Sequence, residues 1–300
     1  MDIQLLGVPM DLGAGRRGVD MGPSAIRIAG VSERLRELDH TVTDGGDILI
    51  KIPEKQRVRD RKLRYASEIV RACTVLCTRV DKILSAGKFP LVMGGDHSIA
   101  LGTIAGLARA AARDKKTLGV LWIDAHGDMN TDKTTPSGNI HGMPLAASLG
   151  LGSPLLADIG GIKPKVLAKN VAMIAIRDLD DGERKHIKQS GVHVYTVEEI
   201  DNHGMAWVMA RALRDLHDVD ILHVSFDLDA VDPTVAPGVG TPVKGGLDYR
   251  EAHLIMETVH KSGKMSSLEV VEVNPILDDR NKSAEFAVEL IQSGFGKKIL

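Results

Sequence analysis

Leu118-Gly119-Val120-Leu121-Trp122-Ile123-Asp124-Ala125-His126-Gly127-Asp128 passes without a break from an apolar run to two acids flanking a histidine. The run Leu118–Ile123 carries no polar residue, as expected of a strand buried on both faces of a parallel sheet. Mostly apolar runs recur at Ile3–Val8, Pro90–Met93, Val171–Ile176, Val192–Thr196, Ile221–Phe226 and Ser267–Val271. Helical patterns fall between these runs: Pro23–Leu38, Val58–Ala86, Ser98–Ala112, Met143–Leu149, Glu183–Ser190, His203–Leu216, Tyr249–His260 and Ser283–Gln292. Strands alternating with helices predict an α/β fold with parallel strands joined by crossover helices. No repeat or linker-like stretch divides the chain, so one domain over residues 1–300, with a sheet of about eight strands, is expected. An open doubly wound sheet and a closed (β/α)8 barrel give the same pattern, and both gather their chemistry at the carboxyl ends of the strands.

Composition narrows the partners. The chain of 300 residues balances 38 Lys and Arg against 40 Asp and Glu, a net charge of −2. No basic excess points to nucleic acid or to an anionic membrane. Aromatic residues make up only 3%, too few for base-stacking platforms. No apolar window is long enough to span a bilayer, and Met1-Asp2-Ile3-Gln4 does not resemble a secretory leader. Cys73 and Cys77, the only cysteines, fall four residues apart in a helical pattern and read as buried small hydrophobes of a reduced, cytoplasmic protein.

Three strands run directly into acids and imidazoles. Ile123 is followed by Asp124, His126 and Asp128; Phe226 by Asp227 and Asp229; Met93 by Gly94-Gly95-Asp96-His97. In an extended chain, residues i, i+2 and i+4 share one side, so Asp124, His126 and Asp128 are expected to converge at a strand end. So much negative charge in one place requires a cationic partner. Four carboxylates and two imidazoles exceed what one tetrahedral zinc takes and suit two ions sharing carboxylates. The oxygen-rich donor set favours Mn²⁺ over the softer metals that thiolates select.

The motifs Met93-Gly94-Gly95-Asp96-His97-Ser98, Asp124-Ala125-His126-Gly127-Asp128 and Ser225-Phe226-Asp227-Leu228-Asp229 resemble the three signatures of the ureohydrolases, the arginase and agmatinase family. The stretch from Asn130 through Thr135-Pro136-Ser137-Gly138-Asn139-Ile140-His141-Gly142-Met143-Pro144 resembles the arginase branch in particular. So do Gly238-Val239-Gly240-Thr241-Pro242 and Glu272-Val273-Asn274-Pro275. The resemblance runs from Gly7 almost to the C-terminus.

It implies a three-layer α/β/α sandwich with an eight-stranded, mostly parallel sheet and two Mn²⁺ per subunit. One ion is expected on His97, Asp124, Asp128 and Asp227, the other on His126, Asp124, Asp227 and Asp229, with Asp124 and Asp227 bridging. Asp96 has no ligand role in that pattern and is expected to cap a helix or anchor a loop. The implied activity is manganese-dependent hydrolysis of L-arginine to L-ornithine and urea by a metal-bridging hydroxide. In that scheme Asp128 handles the hydroxide's proton, Glu272 holds the guanidinium, and His141, in a flexible loop, shuttles protons to solvent. Thr241 lines the pocket near the guanidinium. Asn130, Ser137 and Asn139 are neutral groups able to donate to an α-carboxylate, while by motif match Asp180 accepts from the α-ammonium and Glu183 acts nearby through water. The family also implies a homo-oligomer, a trimer or hexamer.

Other features are weaker. Gly13-Ala14-Gly15-Arg16-Arg17-Gly18 matches a dinucleotide fingerprint, but Val19–Pro23 separates it from the next helix and no acid-ended strand follows at the expected distance. It reads as a flexible loop at the site's rim rather than a nicotinamide site. His186, His193, His203, His217, His223, His253 and His260 show no ligand spacing and read as core or surface. A non-catalytic relative would have lost a metal ligand, and all six positions are intact.

Overall fold

The structure is a computed structural model that describes residues 1–298. The chain begins with β1 (Asp2–Val8), α1 (Gly22–Ile28), α2 (Val31–Arg36), β2 (Thr41–Asp47), α3 (Ala66–Ser85), β3 (Phe89–Gly94) and α4 (Ala100–Asp114). It continues through β4 (Leu118–Ile123), α5 (Pro144–Ser148), α6 (Pro154–Ala157), β5 (Val171–Ile176), α7 (Asp181–Ser190) and β6 (His193–Thr196). Then come α8 (Val197–His203), α9 (Met205–Asp215), β7 (Ile221–Asp227), α10 (Tyr249–Ser262), β8 (Met265–Val271) and α11 (Lys282–Gly294).

The eight strands form one open sheet in the order β2-β1-β3-β8-β7-β4-β5-β6, and every neighbouring pair is parallel. Alternate residues of each strand feed opposite faces. Leu121 and Ile123 of β4 join a core shared with α9, α10 and α11, while Val120 and Trp122 join one shared with α3 and α4. Helices on both faces make the three-layer α/β/α sandwich, and the open sheet excludes the closed barrel. No helix among the described residues is long and apolar enough to cross a membrane.

The strand order fixes where a site can form. The chain leaves β4 towards its neighbour β5, but leaves β7 towards β8 on the other side. Connections that diverge from adjacent strands open a crevice at their carboxyl ends. The acid-bearing ends of β4 and β7 border that crevice, and β8 and β3 continue the row.

The structure departs from the sequence pattern in instructive places. β2, Thr-Val-Thr-Asp-Gly-Gly-Asp, is a strand without an apolar run, because at the sheet edge only Val42 is buried. The expected helix Pro23–Leu38 divides at Gly30, whose φ of 83° lies outside the right-handed helical region. The pattern Val58–Ala86 becomes helical only at Ala66. Before it, Arg57, Arg59, Arg61, Lys62 and Arg64 would repel along a helix, and they run irregularly against the loop carrying Ser137. There Arg64 N–H donates to the Gly138 carbonyl at 3.1 Å and Lys62 Nζ to the Thr135 carbonyl at 2.7 Å. Cys73 and Cys77 are buried and unpaired, and burial pushes both thiols up, which makes them inert hydrophobes as expected.

The turn after β3 allows no side chain at Gly95. A Cβ there would lie 1.8 Å from the Met10 carbonyl oxygen, a backbone atom that cannot step aside. The Gly95→Ala variant is expected to lose at least about 3 kcal/mol, the upper range of overpacking costs. Chemical unfolding of both proteins measures it; an unchanged midpoint would refute the close packing.

Candidate metal centre

His97 enters from the turn after β3. Asp96, just before it, caps that turn: its carboxylate accepts from Ser98 N at 3.0 Å and from Gly13 N at 2.7 Å. Asp96 is thus the loop anchor expected of it, and the Gly13–Gly18 loop is tied to the rim through its amide. Burial pushes the Asp96 carboxyl up to about 6.

The His97 ring lies flat on Trp122, with centroids 4.0 Å apart. Its Nδ1 is 3.1 Å from Asp124 Oδ2, 3.2 Å from Asp128 Oδ2 and 3.0 Å from Asp227 Oδ2. His126 Nδ1 is 3.1 Å from Asp229 Oδ2 and 3.4 Å from Asp124 Oδ1. All six expected ligands therefore meet, in two groups joined through Asp124. The route differs from the one the spacing suggested. β4 ends at Ile123, and Asp128 adopts a left-handed φ of 50° rather than continuing an extended chain. The bend turns Asp128 towards His97, while His126 serves the other group.

The electrostatics define what this cluster accepts. Burial, then the charge of Asp124, pushes the Asp128 carboxyl well above its usual range; burial and the charges of Asp229 and Asp124 do the same to Asp227. Burial opposes charge on His97 and His126, yet the surrounding carboxylates outweigh it and raise both imidazoles. The same imidazoles hold Asp124 well below the usual range against its own burial. His97 Nδ1 and Asp128 Oδ2 are buried with no hydrogen-bond partner. Unpartnered donor atoms converging among carboxylates that resist ionisation fit two divalent cations, and the cluster is a dinuclear metal site.

Above it lies a cavity of about 160 Å3 lined in part by Asn130, Ser137, Asn139, His141, Asp180, Glu183 and Thr241. Every expected substrate residue except Glu272 lines it, and most are held by other contacts as well. Asn130 Nδ2 donates to Asp180 Oδ2 at 2.6 Å, and Asn139 Nδ2 to the Ala14 carbonyl at 3.1 Å. The Ser137 hydroxyl accepts from Asn139 N at 3.2 Å. Asp180 is the N-cap of α7, and Asp180 and Glu183 bond reciprocally to each other's backbone N–H as a capping box. The D-x-x-E spacing could have disclosed that role from the sequence. Burial pushes Glu183 up to about 7. Thr241 Oγ1 donates to Asp229 Oδ2 at 2.9 Å and so steadies a metal ligand.

Glu272 follows β8 with a left-handed φ of 63°. Its Oε1 accepts from His97 N at 3.0 Å and lies 3.0 Å from His141 Nδ1. Its Oε2 is buried without a partner. His141 sits in a short helical turn, Ile140–Gly142, with its ring against the Glu272 carboxylate. Burial works against its charge, but the bond to Glu272 prevails and pushes the imidazole up to about 9.

Sequence reasoning missed the supports beneath the ligands. Trp122 Nε1 donates to Asp124 Oδ2 at 3.0 Å, and Ser225 Oγ lies 2.8 Å from His97 Nε2. His223 was assigned to core or surface; it is fully buried in polar company with Ser267 and Glu269. The signal was present as His223, Ser225 and Asp227, alternating polar residues in an apolar strand.

Loading this cluster with divalent cations is expected to release protons. His97, His126, Asp128 and Asp227 are all pushed towards their protonated forms, and a group that ligates a cation must give its proton up. Adding Mn²⁺ to the metal-free protein in unbuffered solution at pH 7 should acidify it by at least about one proton per subunit; no pH change on binding would contradict the electrostatic reading.

Residues 1–296 match the Arginase family model. The arginase of Bacillus caldovelox is 53% identical over 300 residues, spanning 99% of each chain, and that of Bacillus subtilis 52% over 299 residues with the same coverage. The solved Bacillus caldovelox arginase superposes with a TM-score of 0.96 at 52% identity, covering 100% of this chain and 99% of that one. An Entamoeba histolytica arginase solved in complex with L-ornithine superposes with a TM-score of 0.91 at 32% identity, covering 99% of this chain and 100% of that one. With the family model matching almost the whole chain and relatives more than half identical over 99% of it, the chain belongs to the arginase family.

Proposed function

We propose that this protein hydrolyses L-arginine to L-ornithine and urea with two Mn²⁺ ions per subunit. The observation that carries the reading is the pairing of the dinuclear donor cluster with the partnerless Glu272 Oε2 beside it. A buried carboxylate oxygen with no donor is the complement of a planar guanidinium.

Two bound divalent cations would make water more acidic at neutral pH and neutralise the carboxylates around it. His97, Asp124, Asp128 and Asp227 are the proposed holders of one ion and His126, Asp124, Asp227 and Asp229 of the other. The all-oxygen and imidazole donors favour manganese. Glu272 takes the guanidinium by a charge-assisted pair. Asp128, buried beside Asp124 and His97, would as a carboxylate accept the proton of the attacking water and pass it to the departing amine. His141, at the cavity wall, carries protons between site and solvent. Asn130, Ser137 and Asn139 recognise the α-carboxylate, Asp180 and Glu183 the α-ammonium, and Thr241 supports the guanidinium end through Asp229. The L-ornithine bound to the Entamoeba histolytica relative supports an amino-acid ligand of this kind. A homotrimer or hexamer completes the proposal on family grounds.

Urea release from L-arginine and from agmatine, each with and without Mn²⁺ after chelation, tests the assignment. Arginine is expected to be favoured at least roughly a hundredfold, since a site built for a charged group is left with unpaired polar atoms when the group is absent. Chelated protein should be inactive and regain activity with Mn²⁺. Equal efficiency on both substrates would place the chain on the agmatinase side of the family.

His141 sets an expected pH profile. Its folded value lies above the ordinary histidine value, so the imidazolium persists through neutrality and is lost as pH rises through about 9. Turnover should rise towards alkaline pH as water ionises, then fall on a limb near pH 9. His141→Ala should lower kcat by about tenfold to a hundredfold, change KM little and remove that limb. An unchanged kcat excludes His141 from proton transfer.

A further inference from the structure

Beneath the metal cluster, on the face of the sheet towards α3 and α4, lies a polar layer that the proposed reaction does not use. β7 and β8 run side by side with His223 beside Ser267 and Ser225 beside Glu269. His223, Ser225, Ser267 and Glu269 are each 0% exposed. Bulk water does not reach these groups, so the protons between them are placed by the groups' own donor and acceptor capacities.

The assignment has one solution once Glu269 is a carboxylate, which only accepts, and His223 is a neutral imidazole. Ser225 Oγ lies 2.7 Å from Glu269 Oε1 and donates its single proton there. Its oxygen then accepts from His97 Nε2, 2.8 Å away. His223 Nε2, 3.1 Å from the same Oε1, also donates, which leaves its Nδ1 to accept from the Ser267 hydroxyl at 2.8 Å. One acceptor thus directs two chains of donors. A neutral His97 carrying its proton on Nε2 has a bare lone pair on Nδ1, the atom that faces Asp124, Asp128 and Asp227. The partner of the non-ligating nitrogen commonly fixes both tautomer and orientation of a ligating histidine.

We propose that Glu269, acting through Ser225, is the positioning residue of the metal centre: as terminal acceptor it fixes the Nε2–H tautomer of His97 and aims Nδ1 at the ion shared with Asp128. His223 and Ser267 hold the carboxylate itself in place. Glu269 touches neither substrate nor the reacting atoms; its effect is on the affinity of one ion. The inference rests on the reading of the cluster as a two-ion site.

The test is Mn²⁺ binding to purified, chelated protein, read as ions per subunit and as two dissociation constants by equilibrium dialysis with elemental analysis. Circular dichroism and melting of the metal-free variants check their folding. Ser225→Ala leaves the His97 Nε2–H without an acceptor and should weaken one ion about tenfold to a hundredfold, the usual range for such supports. The other ion should stay within about threefold of the unmutated protein, the selectivity that a proper orienting role requires. Glu269→Gln keeps a carbonyl acceptor and should retain more of that affinity than Glu269→Met, which keeps none. Should Glu269→Met fail to fold, Ser225→Ala and Glu269→Gln decide. Folded Ser225→Ala with both unmutated affinities, or equal weakening of both ions, overturns the proposal. Failure of the unmutated protein to take two ions instead overturns the metal reading beneath it.

Discussion

Four carboxylates and two imidazoles crowded at the carboxyl ends of the central strands of a parallel sheet are the constraint on which this molecule is built. Such a cluster is costly in isolation, because each ionised acid raises the next and burial penalises them all. Asp128 and Asp227 show the conflict in their raised values, and Asp124 escapes it only because two imidazoles hold it down. A pair of divalent cations removes the conflict. The fold delivers these donors from the ends of β3, β4 and β7 in one sheet, so that they cannot retreat from one another.

The site lies where adjacent strands part company. β4 and β7 lie side by side but send the chain in opposite directions, and the crevice they open receives Asp124 from one and Asp227 from the other. Two positions there hold left-handed backbone without being glycine, Asp128 and Glu272. Such a conformation is unfavourable for a side-chain-bearing residue and persists where surrounding contacts enforce it. In both cases it turns a carboxylate towards the site: Asp128 towards His97, Glu272 towards His97 N–H and His141. Many groups around the cavity do two things at once. Asp180 and Glu183 cap α7, Thr241 braces Asp229, and Asp96 ties the glycine-rich rim to the turn that carries His97.

The amino-acid sequence determined by itself the residues whose identity is their function and whose neighbours lie close in the chain. Apolar strands ending in Asp124, Asp227 and His97 disclosed the parallel sheet, the edge at which chemistry gathers and the need for cations. These follow from local pattern, since a buried strand must be apolar and charge at its end must be answered. Local pattern failed where burial was one-sided or where charge outvoted periodicity. β2 was illegible because an edge strand has few residues to hide, and the start of α3 was misplaced because a basic run carried helical spacing that it could not use. Only the tertiary structure decided that a left-handed bend brings Asp128 to His97, that His141 is pinned by Glu272, and that His223, Ser225 and Glu269 form one layer beneath His97. Those facts depend on register between β7 and β8 and on two left-handed bends. Registers and bends are set by packing between segments far apart in sequence, which no local reading of spacing can weigh.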